Sequence, residues 1–105
     1  MLEKRRHPRV PLVATVEIVA GDTSIVAEAR NLSISGMLIR SPRTFPEQTV
    51  AHLSFSLPGT PGKISVAGTI LHVSPDAYMG VRFEELSPAD RSTLERFVQQ
   101  ALGSA

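Results

Sequence analysis

Lys4, Arg5, Arg6 and Arg9 crowd the first nine positions, and two of them, Arg5 and Arg9, stand four residues apart as an RxxxR pair. A guanidinium is planar and permanently charged, and its fork of donors pairs bidentately with a phosphate or with the O6 and N7 edge of guanine. Twenty-two positions after Arg9 comes Asn31-Leu32-Ser33-Ile34-Ser35-Gly36, an [D/N]xSxxG pattern. Asn31 offers an amide donor and a carbonyl acceptor, Ser33 a rotatable hydroxyl, and Gly36 either positive φ or room for a close ligand, a set suited to a guanine edge. Each segment also has a plainer reading. Lys4 to Arg9 reads equally as a solvated N-terminal arm stiffened by Pro8, and Asn31 to Gly36 as an Asx or serine turn between two strands.

The surrounding charge supports local rather than general anion binding. The whole chain carries only +1, yet residues 1–10 hold four basic side chains against Glu3, a local +3, while the remaining seven basic and nine acidic side chains give −2. This is not the charge of a protein that coats a nucleic-acid polymer. The absence of cysteine rules out disulfides, thiolate catalysis and cysteine-based zinc sites, and the three histidines are scattered. His7 and His72 read as surface or strand-face residues without a partner at metal-ligand spacing. Ser33 and Ser35 lack the GxSxG elbow or nearby paired carboxylate that a nucleophile needs. No apolar run approaches the roughly 18 residues that span a bilayer, and Met1 to Arg5 leads into charge and proline rather than a signal-peptide core, so a soluble cytoplasmic protein without membrane insertion is expected.

The elements that must position these residues follow from hydrophobic period. A chain of 105 residues predicts one domain with its own core. Leu12 to Val19 alternates Ala14, Val16 and Ile18 against Thr15 and Glu17; Gly21-Asp22 turns the chain; Ser24 to Arg30 then alternates Ile25, Ala27 and Ala29 against Val26, Glu28 and Arg30, a hairpin pattern. Met37 to Ile39 is a short third strand. Pro42 and Pro46 mark a loop, Thr49 to Leu57 resumes alternation, Pro58 to Gly62 turns, and Lys63 to Val73 is a longer strand whose Gly68 predicts a bulge or bend. Pro75-Asp76-Ala77 leads to Gly80-Val81-Arg82-Phe83-Glu84, a strand from which Arg82 could line a ligand face. Ser87-Pro88-Ala89-Asp90 then opens a helix with an apolar stripe of Leu94, Phe97, Val98, Ala101 and Leu102, ended by Gly103. The stripe reads as core, or as cover for a partner surface. Five or six antiparallel strands and one helix predict a small barrel.

RxxxR followed by [D/N]xSxxG, in this order and within this layout, resembles the PilZ domain, the bacterial receptor module for cyclic di-GMP. The resemblance covers most of the chain and implies a mainly β fold: a small antiparallel six-stranded β-barrel with a C-terminal α-helix, residues 11–105, behind a mobile arginine arm, residues 1–10. It implies that Arg5 and Arg9 grip phosphate and guanine while Asn31, Ser33 and Gly36 hold the base. Lys4 and Arg6 would add the cations needed for a second, stacked ligand, since four phosphates in one pocket repel. The family commonly has Asp where this chain has Asn31, and the amide forgoes a charge-assisted bond to the guanine N1 and N2 donors. The function implied is a non-enzymatic receptor, with cyclic di-GMP as ligand and no other cofactor or metal, that changes shape and signals to an unidentified effector protein; a homo-oligomer is compatible with it. Two rival classes stand beside it: a PilZ-like interaction module that does not bind nucleotide, and a small oligonucleotide-binding barrel, which five aromatic residues serve poorly as stacking platforms.

Overall fold

The structure, a computed structural model, describes residues 8–103. Six strands, β1 (Val10–Ala20), β2 (Thr23–Leu32), β3 (Gly36–Arg40), β4 (Val50–Phe55), β5 (Ile64–Val73) and β6 (Tyr78–Phe83), precede one helix, α1 (Pro88–Gly103). The strands close into a barrel in the order β1-β2-β3-β6-β5-β4, every neighbouring pair antiparallel. The expected fold class is the observed one. Closure follows from the pairing of Val16 to Val19 of β1 with Phe55 to His52 of β4, which joins the first strand to the last in the sheet order.

Alternation places the core. Val16, Ile18, Ile25, Ala27 and Ala29 point inward from the first hairpin, and Ala51, Leu53 and Phe55 from β4, while Val13, Val26 and Val50 face out. Phe55 and Phe83 stack with ring centroids 6.2 Å apart. Helix α1 starts as its sequence dictates: the Ser87 hydroxyl accepts the Asp90 N–H at 3.1 Å, and Pro88 needs no donor at the first helical position. Its stripe is only partly core. Leu94 is fully buried in the barrel core and Val98 is buried, Phe97 and Ala101 are half-buried, and Leu102 is 48% exposed. Among the described residues no helix is long and apolar enough to cross a membrane.

Gly68 departs from expectation. The irregularity in β5 falls between Ile70 and His72, where the register with β6 shifts, and not at Gly68. A Cβ on Gly68 would meet Val81 Cγ1 at 2.6 Å and Leu53 Cδ1 at 3.0 Å. The residue is glycine because the barrel interior is already filled there by the two neighbouring strands.

Candidate functional site

The two motifs meet. Val10 pairs with Leu32 and Pro11 with Asn31, so the antiparallel register of β1 and β2 brings the residue preceding β1 to the far end of β2. There the Arg9 guanidinium donates from Nη1 to Asn31 Oδ1 at 3.1 Å, across 22 residues of chain. Lys4, Arg5 and Arg6 lie outside the described residues, as do residues 1–7 of the expected arm; of its last three residues, Val10 is buried and already opens β1.

A β-bulge presents Asn31 outward. On β2 the register steps from Ala29 to Asn31 while β3 steps only from Ile39 to Leu38, so Arg30 is the extra residue. The buried run Ile25, Ala27, Ala29 therefore continues at Leu32 rather than residue 31. Arg30 and Asn31 consequently share the outer face, side by side. Sequence reasoning did not place Arg30 here, because regular alternation treats it as one more solvent-facing residue.

Ser33 is 3% exposed, and its hydroxyl is engaged within its own turn. Ser33 Oγ accepts the Ser35 N–H at 3.1 Å and lies 3.0 Å from Ser35 Oγ; the Ser33 N–H donates to the Gly36 carbonyl at 2.9 Å. The turn is fastened to β6 as well, since the Phe83 N–H donates to the Ser35 carbonyl at 2.9 Å. Gly36 faces Arg82 of β6, and a Cβ on it would fall 2.2 Å from the Val81 carbonyl oxygen. Among the described residues the positive-φ glycines are Gly21, Gly59 and Gly62, so Gly36 is required for close approach of two backbones and not for a left-handed conformation.

Arg82, opposite Gly36, is held by Glu84 at 3.4 Å. Thr69 Oγ1 also donates to the Glu84 carboxylate. That hydrogen bond, with a smaller contribution from Arg82, holds the carboxyl below the ordinary glutamate range against a weaker opposing effect of desolvation. On the same outer face the His72 ring lies over Gly80, its partner in register: a Cβ on Gly80 would meet His72 Cε1 at 2.6 Å. The histidine thus covers a glycine across the strand pair. Between the Ser33–Gly36 turn and α1 runs a groove of about 290 Å³, lined by Pro8, Ile34, Glu95, Val98, Gln99 and Leu102. Among the described residues no three His, Cys, Asp or Glu side chains cluster as metal ligands would.

This arrangement is an outer face carrying an arginine, an amide and a hydrogen-bonded turn. The family model described as PilZ domain matches residues 3–100. The chain belongs to the PilZ domain family. Among solved structures it superposes on the Bacillus subtilis inhibitor of motility, MotI/DgrA, with a TM-score of 0.81 at 17% identity over 99% of this chain. It spans 55% of that protein's length. The PilZ domain of YcgR from Escherichia coli, solved with c-di-GMP, superposes with a TM-score of 0.75 at 16% identity, over 95% of this chain and 92% of that one. The complex of K. pneumonia MrkH with c-di-GMP does so with a TM-score of 0.77 at 12% identity, over 97% of this chain and 53% of that one. At such identities the likeness is one of fold. No curated protein matches the chain.

Proposed function

We propose that this PilZ domain is a receptor for cyclic di-GMP that passes its signal to a partner protein and performs no chemistry on the ligand. The observation that supports the reading is the Arg9–Asn31 contact, which sets one arginine of the first motif against the first residue of the second, a guanidinium beside an amide as recognition of a phosphate next to a guanine would need. Structures solved with c-di-GMP, the YcgR PilZ domain and MrkH among them, share the fold and support the same ligand.

In this mechanism the phosphates of the ligand draw Arg5 and Arg9, and Arg9 exchanges the Asn31 carbonyl oxygen for an anionic acceptor, a stronger bond because one partner carries full charge. The Asn31 amide is then released to pair with the guanine edge. Ser33 and Gly36 act by shape: the buried hydroxyl and the close β3–β6 approach fix the turn against which the base rests. Lys4 and Arg6 supply further cations for the phosphates. The segment before β1 closes over the face, and the partner reads the altered surface.

Calorimetric titration with cyclic di-GMP, with GTP and cyclic di-AMP as controls, tests the reading. Saturable binding of cyclic di-GMP in preference to both controls is expected. No binding, or equal binding of all three, overturns it.

A further inference from the structure

Glu28 and Arg30 of β2 and Arg40 of β3 are exposed on the outer face that also carries Asn31, and the two motifs include none of them. The β2 bulge sets Arg30 beside Asn31 with its Cα one residue away, about 3.8 Å. The Arg30 guanidinium is turned back along the strand to Glu28, with Nη1 3.3 Å from Oε1. Both side chains are open to solvent, at 41% and 48% exposure. Glu28 also stands directly opposite Arg40 across the β2–β3 pairing. A single carboxylate therefore holds Arg30 and faces Arg40 across the strand pair, on the strand that carries the amide Arg9 touches.

Resting on the receptor reading above, we propose that Arg30 is a further binding residue for the ligand phosphate, held away from it by Glu28, which competes with the phosphate for the same guanidinium. A solvent-exposed pair of this kind is weak, because water screens it and two long side chains must be ordered to form it. With the guanine edge at Asn31 and the phosphodiester at Arg9, the ligand brings its charge beside Arg30, and the guanidinium can leave Glu28 for it at little cost. Glu28 then lowers affinity because it must give up Arg30 before the phosphate can take it. The bulge is what makes this competition local. In a regular strand, residues 30 and 31 would face opposite sides of the sheet, and Arg30 could not share the ligand with Asn31.

The test is a double-mutant cycle on the intact chain, measured by titration with cyclic di-GMP and accompanied by thermal melts. Arg30→Ala should weaken binding about three- to tenfold, and Glu28→Gln should tighten it about two- to fivefold, the range expected for releasing an exposed ion pair. The gain from Glu28→Gln should vanish when Arg30 is already alanine, which a general change in surface charge would not produce. Melting temperatures should stay close to wild type throughout. If the wild type binds and either single variant leaves affinity unchanged, or if the gain persists in the double variant, this inference is wrong and the receptor reading survives. A wild type that takes up no cyclic di-GMP overturns both.

Discussion

Replacing Gly36 by alanine separates a structural role for this glycine from a purely ligand-facing one. The added Cβ would sit 2.2 Å from the Val81 carbonyl oxygen, where ordinary contact begins near 3.4 Å, so the backbones of β3 and β6 must part by about 1.2 Å. The obstacle is main chain and cannot rotate aside. Forcing extra volume into a packed site costs about 1–3 kcal/mol, and straining the nearby Phe83 N–H bond to the Ser35 carbonyl adds about 1 kcal/mol. A total of about 2–4 kcal/mol corresponds to a drop in melting temperature of roughly 8–25 °C for a domain of this size. Gly80→Ala provides the internal comparison. There the clash, at 2.6 Å, is with the exposed His72 ring, a side chain that can swing out, so its loss of stability should be clearly the smaller. Thermal unfolding followed by circular dichroism, without ligand, decides the matter. If Gly36→Ala melts within 2–3 °C of wild type, or Gly80→Ala is the more damaging, the close-approach argument is refuted and Gly36 acts only through the ligand.

Arg9→Ala should weaken cyclic di-GMP binding at least about tenfold while leaving the melting temperature near wild type, since a charge-assisted bond is lost from an exposed position; titration and melting together check it. Leu94→Ala should cost about 2–5 kcal/mol in urea unfolding because the side chain is fully buried, whereas Leu102→Ala, on the exposed last turn, should stay within about 0.5 kcal/mol. The Glu84 carboxyl is held below its ordinary value in the folded chain, so its contribution to stability is present above the unfolded pKa and is lost as pH falls through the folded one. Thr69→Val removes the main cause and should flatten that part of the acid limb in pH-dependent denaturation.

Much of this architecture was legible because period and caps are local properties. Ala14 to Ile18 and Ser24 to Ala29 announce strands by alternation, and Ser87-Pro88 announces the helix start by donor supply alone. What failed to show was non-local. Gly36 is glycine because of Val81, which is 45 positions away and joined to it only by the barrel, so the sequence offered flexibility or ligand access as the reason. Gly68 invited a bulge, yet its cause is the packing of Leu53 and Val81 across two strands. The bulge at Arg30 was invisible because its only trace is one skipped step in the buried pattern between Ala29 and Leu32. Leu102 fits the helical stripe but is exposed, since periodicity assigns a face without saying how far along the helix that face is covered. The meeting of Arg9 and Asn31 followed from a family resemblance, not from any spacing rule.

The groove between the Ser33–Gly36 turn and α1 has walls from opposite ends of the described chain, Pro8 on one side and Val98 and Leu102 on the other. This makes it a natural place to read the receptor optically. With no cysteine anywhere in the chain, a single cysteine in place of the exposed groove residue Gln99 could be labelled uniquely with a polarity-sensitive dye. If, as proposed, ligand capture by Arg9 moves the adjoining Pro8, the wetness of that wall of the groove would change. The emission colour would then report occupancy of a site that the dye itself never touches.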